Sequence, residues 1–218
     1  MGGTERVDGR AVEVAKRRGR PATITRGDVV DAALKLARRA GLDRFTIQQV
    51  ADELGVAPMT LYHYVSGRNE LVQLVVDELL SRIEIPGHET GPWDVRLQVL
   101  ESNARRELAG IPGIQTAVSP HASDAAGRLV DAVLSMLTDA GFDEETALLA
   151  FGALFTFMIG QLDLDVAVDR PADPEEGVRF VELIDRTLDG ERPTTDDTFD
   201  FGFGLLLAGL RELLKDAD

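Results

Sequence analysis

Residues 46–64 read TIQQVADELGVAPMTLYHY, and their spacing describes two short helices joined by a tight turn. Thr46 followed by Gln49 is a capping box, in which each side chain satisfies a free backbone N–H at a helix start. Ile47, Val50, Ala51 and Leu54 then recur at the i, i+3, i+4, i+7 interval of one buried face, and Gly55 stands where a left-handed residue ends a helix. Pro58, with its fixed φ and missing N–H, suits the first position of a second helix over residues 59–64. The pattern is a helix-turn-helix.

In the second helix Leu61 and Val65 anchor the inner face, which leaves Met59, Thr60, Tyr62 and His63 to the outer and flanking faces. Hydroxyls, an imidazole and a thioether there can donate to phosphate oxygens or touch base edges. A rod about 10 Å long fits a major groove about 12 Å wide. The same residues would also serve an ordinary helical hairpin with a half-buried aromatic pair.

A chain of 218 residues with 44% hydrophobic content has room for one large or two modest globular domains. The absence of Cys removes disulfides and thiolate metal sites and fits a reducing compartment. The N-terminus has no apolar secretion core, and the longest nearly apolar run, residues 147–160, falls short of the roughly 18 needed to span a bilayer. A soluble, cytoplasmic protein with no membrane partner is expected. The net charge of -15 is unevenly divided: residues 1–83 hold 13 Lys plus Arg against 11 Asp plus Glu, and the remainder holds 10 against 27. A near-neutral head can approach phosphate while an acidic body is held away from it, although the acid would also serve solubility alone.

Residues 1–22 show no hydrophobic period and carry Lys16, Arg17, Arg18 and Arg20 around a Gly and a Pro, a flexible basic arm suited to phosphates or a narrow minor groove. A charged tail with no specific task has the same composition. The head, residues 23–68, opens with a Thr25–Asp28 cap and a helix through Val29, Val30, Ala33, Leu34 and Ala37 to Gly41. Ser66 is expected to cap a long helix running to Ile83, so that residues 69–86 connect head and body. Arg68 in its first turn opposes the helix dipole, which solvent or a phosphate would compensate.

Basic arm, helix, TIQQVADELGVAPMTLYHYV and SGRNEL, in that order, resemble the N-terminal domain of the tetracycline-repressor (TetR) family over about residues 24–75. The resemblance implies an all-α protein: a three-helix DNA-binding head, a connecting helix, and an effector-binding, dimerising helical body whose ligand relieves repression. It also implies that Thr46 holds a phosphate, that Met59, Thr60 and His63 face bases, and that Tyr62 and Tyr64 lie on or near the DNA backbone. Arg68 stands where the family often has a phosphate-binding Lys.

The body, residues 87–218, reads as five or six more helices: residues 93–108, one short helix within the Pro-broken 110–123, and 128–140, 146–168, 178–188 and 198–214. Arg105 and Arg106 read as solvated. The helix over 146–168 is apolar on nearly every side and so is expected to be buried on all of them. The last helix carries Gly202, Gly204 and Gly209, which allow close approach of another helix. By the resemblance it joins the 146–168 helix in a dimeric four-helix bundle, and a symmetric homodimer presents two heads to a palindromic double-stranded operator.

Trp93, Asn103, Gln115, His121, Phe151, Phe155, Met158 and Gln161 mix aromatic walls with polar groups, as ligand sites do, although plain packing explains each of them too. The small-molecule effector is not identified by them; tetracycline with magnesium is one option. No Glu has a His three residues on, as a helical di-metal site wants, and no phosphate-loop or nucleophile-elbow motif occurs, so neither a cofactor nor an enzyme is expected. An activator of the same fold, or a body that binds a protein partner, is the alternative reading.

Overall fold

The computed structural model describes residues 24–119, 123–167 and 194–216, and every regular element among them is helical. The first helix, α1 (Arg26–Ala40), begins with the Thr25 capping box: the Thr25 N–H donates to Asp28 Oδ2 at 2.7 Å and the Asp28 N–H donates to Thr25 Oγ1 at 3.2 Å. The Thr25 N–H and, after it, the Thr25 hydroxyl, which also donates to Asp28 Oδ2 at 2.7 Å, hold the Asp28 carboxyl below its usual range. Val29, Ala33 and Ala37 line its fully buried face. Helix α2 (Ile47–Leu54) is opened by Thr46 and Gln49 in the same way and closed by Gly55 at φ +67°. Both caps are therefore local constructions, written within four residues of chain.

Helix α3 (Pro58–Leu61) is a single turn, shorter than the expected 59–64. The Tyr64 and Val65 N–H groups both donate to the Leu61 carbonyl, at 2.9 and 3.0 Å, so residues 62–64 fold back as a turn. Helix α4 (Arg68–Ser81) also departs from expectation. Gly67, not Ser66, occupies the cap position, and the Ser66 N–H instead donates to Glu70 Oε2 at 2.7 Å. At its far end Arg128 donates to the carbonyls of Leu80 and Ile83 at 3.0 and 3.1 Å, which satisfies acceptors that a longer helix would have used internally.

Past a single 3-10 turn at His88–Thr90, the body contains α5 (Trp93–Leu108), α6 (Ile114–Ala117), α7 (Asp124–Asp139), α8 (Glu144–Ala167) and α9 (Thr195–Asp216). Helix α7 begins four residues before the expected Arg128, because Ser123 accepts from the Ala126 N–H. The expected helix over 178–188 lies outside the described residues. One apolar cluster runs from Val29 in α1 through Val75, Val76 and Leu79 in α4 to Leu137, Leu154 and Phe203, so head and body share a continuous core. They meet at a second place as well: the Leu42 N–H donates to the Pro112 carbonyl at 2.7 Å.

Helices α8 and α9 pack through Phe157, Phe199 and Phe203, whose ring centroids lie 5.6 to 6.2 Å apart. Gly202 is where a close approach is needed: a Cβ there would lie 2.6 Å from Phe157 Cε2, whereas Cβ atoms at Gly204 and Gly209 would meet nothing. Arg105 is not solvated; its guanidinium bonds Asp196 and Thr195 and lies 5.1 Å from the Phe199 ring centroid. Two expectations about α8 are corrected. Residues 144–163 are long and apolar enough to cross a membrane, by length and composition only, a test that the core helix of a soluble protein also passes. Nor is the helix buried all round, since Leu148 and Leu149 on α8, with Phe201, Leu205 and Leu213 on α9, are exposed in the single chain.

Candidate functional site

The head holds α3 by its inner side chains and leaves the rest outside. Leu61 and Val65 are buried, while Met59 is 72% and Tyr62 52% exposed, His63 is exposed and Thr60 is half-buried. The one-turn helix and the turn that follows it therefore expose a thioether, a phenol and an imidazole, donors and an apolar contact of the kind that read base edges. Thr46 is exposed at the start of α2, but its hydroxyl already accepts from the Gln49 N–H.

Two expected backbone contacts take structural posts instead. The Tyr64 hydroxyl donates to the Ile24 carbonyl at 2.6 Å, tying the end of α3 to the chain before α1. Arg68 Nε donates to the Phe45 carbonyl at 3.1 Å, a second guanidinium nitrogen donates to the Leu42 carbonyl, and the group sits 5.6 Å from the Phe45 ring centroid. A guanidinium so engaged clamps the α1–α2 connection rather than waiting for phosphate. Sequence reasoning passed over Arg44, which is exposed just ahead of the α2 N-terminus and enters no ion pair with a described residue. Its signal was its position, two residues before the capping Thr46. Arg17, Arg18 and Arg20 lie outside the described residues.

A second site is internal. Leu80 of α4, Leu100, Glu101 and Leu108 of α5, Val133 of α7, and Phe151, Phe155 and Met158 of α8 surround a small, mostly apolar cavity of about 90 Å³. Phe151 and Phe155 stack with centroids 5.9 Å apart. Three of the expected ligand residues thus meet on one wall, and the others do not join them. Trp93 packs edge-on against Phe142 at 5.5 Å, outside the cavity. Asn103 is spent on the Glu84 carbonyl at 2.9 Å and on accepting from Arg106 at 2.5 Å. Gln161 is buried but does not line the cavity, and its Oε1 has no partner among the described residues. Gln115 donates to Asp163 at 2.9 Å. His121 lies outside the described residues.

The residue that sequence reasoning missed is Glu101. Its side chain is 93% withdrawn from solvent (7% exposed), Oε2 has no partner among the described residues, and desolvation pushes its carboxyl up to about 8. Apart from Ser119 it is the only polar side chain lining the cavity among the described residues. The signal was present in the spacing. Leu97, Glu101, Ala104 and Leu108 form one i, i+4, i+7, i+11 stripe, so a carboxylate occupies an apolar position of an amphipathic helix.

A helix-turn-helix head with an exposed reading turn, joined to an all-helical body with an internal cavity, defines the class of DNA-binding regulators. Residues 29–75 match the family described as "Bacterial regulatory proteins, tetR family". The chain is 29% identical to the HTH-type transcriptional repressor DrrR1 of Streptomyces coeruleorubidus over 90% of its length and 81% of the relative's. It is 28% identical to the tetracycline repressor protein class D of Escherichia coli, over 72% and 76%. In fold it is similar to ActR from Streptomyces coelicolor, solved without ligand at a TM-score of 0.72 (22% identity, covering 90% of this chain and 99% of that one) and with actinorhodin at 0.70. Residues 29–75 thus carry a domain of the tetR family of bacterial regulatory proteins, and the chain is similar over most of its length to curated repressors.

Proposed function

We propose that this protein is a transcriptional repressor that binds a palindromic operator in double-stranded DNA as a homodimer and leaves it when a small-molecule effector enters the α5–α8 cavity. The observation that carries the reading is the one-turn helix α3 with the turn after it, where Leu61 and Val65 are buried in the head while Met59, Tyr62 and His63 are exposed to enter a major groove. On this reading Met59, Thr60 and His63 contact bases, and Tyr62, Thr46 and Arg44 contact the DNA backbone. The arm, residues 1–22, adds phosphate contacts, and residues 23–68, 69–86 and 87–218 are head, connecting helix and effector-binding body. The work is binding rather than catalysis, done in the cytoplasm and away from any membrane, with no cofactor.

The homodimer is supported by the exposed leucines and phenylalanine on α8 and α9, an apolar face that a second copy would cover. Relief by an effector is supported by the cavity and, by analogy of fold, by ActR having been solved with actinorhodin. Coupling follows from what the cavity touches. Leu80 of α4 lines it, and α4 packs on α1 of the head, so an effector that favours one pose of α4 also selects one spacing of the two heads. DNA must then weaken effector binding by the same factor.

The test is selection of bound fragments from the organism's own genomic DNA, followed by a search for compounds that release them. Arg44→Ala is expected to weaken binding to all sequences and to lower the salt slope by about one, whereas His63→Ala should change preference at individual base pairs. Leu149→Glu combined with Phe201→Glu should convert the sedimenting species to a folded monomer. A wild-type protein that is monomeric and prefers no duplex over random competitor would overturn the reading.

A further inference from the structure

We infer that the effector is a flat, apolar cation, an amine or quaternary nitrogen compound, whose positive charge pairs with Glu101 inside the cavity. The inference rests on the cavity being the effector site. Its own ground is the placement of one carboxyl in an otherwise apolar slot. Glu101 projects from α5 into walls made by leucines, Phe151, Phe155 and Met158, and its Oε2 is buried with no partner among the described residues. A ligand that is apolar throughout would be served better by a hydrocarbon at that position, because an unpaired buried carboxyl weakens the fold. A ligand that brings a cation converts the group from a liability into a charge-paired contact.

The surroundings agree. Among the described residues no other charged group lines the slot. On α5, Arg105, one turn from Glu101, is engaged by Asp196, Thr195 and the Phe199 ring. Arg106 bonds Asn103. On α4, Glu78 pairs with Arg82 at 2.9 Å. On α7, Arg128 donates to the backbone carbonyls of Leu80 and Ile83, and Asp131 is exposed. On α8, Asp163 accepts from Gln115. The stacked Phe151 and Phe155 rings offer faces that attract a delocalised cation. The body beyond residue 83 carries 27 acidic against 10 basic residues, a field of the same sign.

Two fluorescent probes separate this inference from the reading beneath it. One is the planar, permanently charged 4-(4-dimethylaminostyryl)-N-methylpyridinium; the other is the uncharged N-phenyl-1-naphthylamine. The probe cation cannot titrate, so its affinity should rise as Glu101 ionises, by up to about tenfold per unit between pH 6 and 8. Glu101→Gln keeps the side-chain volume and the neutral state; it should cost at least about tenfold in cation affinity at pH 8, abolish the pH slope and leave the neutral probe within about twofold. Cation binding that ignores both pH and Glu101→Gln, while the neutral probe still binds and releases DNA, would overturn the cation but keep the effector site. If neither probe enters, or entry never affects DNA, the effector site falls and the inference with it.

Discussion

The head and the body solve opposite problems with the same kind of helix. In the head Leu61, Val65, Val50 and Phe45 are buried, and Met59, Tyr62 and His63 on and just after α3 are left to water. In the body the apolar supply exceeds what one chain can cover, so leucines on α8 and α9 stay exposed, while one carboxyl, Glu101, is taken inside. Polar groups outside suit the reading of a surface, and a polar group inside an apolar slot suits the capture of a small molecule. Exposed polar residues therefore mark the working face of the head, and the misplaced ones, apolar outside and acidic inside, mark the working faces of the body.

That contrast can be broken by substitution. The largest effect is expected from Leu61→Ala, which empties a fully buried position in the small head and should cost about 2–5 kcal/mol, seen in thermal unfolding together with loss of operator binding. Met59→Ala, two residues away and exposed, should leave unfolding unchanged. Equal losses from the two would mean that α3 does not divide into an anchor and a reader.

Glu101→Gln tests the body in the other direction. The Glu101 carboxyl titrates near 8 in the fold and near 4.5 when unfolded, so between those values folding takes up a proton and wild-type stability falls as pH rises. The variant has no such penalty. It should be more stable than wild type by a few kcal/mol at pH 8, at about 1.4 kcal/mol per unit of displacement, with the advantage vanishing toward pH 4.5. Chemical denaturation at several pH values measures the difference, and a constant offset would remove Glu101 from its apolar surroundings.

Gly41→Ala strikes the second junction of head and body. Gly41 has φ +93°, and a Cβ would lie 2.9 Å from Pro112 Cβ beside the Leu42–Pro112 hydrogen bond. A cost of roughly 1–3 kcal/mol is expected from strain alone. If this junction carries signal, effector-induced DNA release should weaken beyond what the lost stability explains. The smallest effect should come from Thr46→Ala, about 1 kcal/mol for the lost cap of α2, read as a small drop in unfolding temperature.

Thr25, Thr46, Gly55 and Pro58 declared the helix starts and stops of the head because capping and φ preference act over three or four neighbours. Residues 93–108 were legible as a helix for the same reason, from their period alone. Where the outcome depended on a distant partner, local pattern failed. Tyr64 and Arg68 look like free donors until the carbonyls of Ile24, Leu42 and Phe45 arrive beside them. Trp93 and Asn103 resemble a pocket lining until Phe142 and Glu84 claim them.

The chain by itself determined that this is an all-helical protein with a helix-turn-helix near its beginning and an acidic remainder, since periodicity, caps and charge are properties of adjacent residues. Only the tertiary structure decided which donors are already spent, that Phe151, Phe155 and Met158 share a cavity, and that Glu101 stands alone within it. Those facts depend on what is brought within a few ångströms from another helix, and the burial that shifts a carboxyl's proton affinity has no counterpart in a one-dimensional pattern.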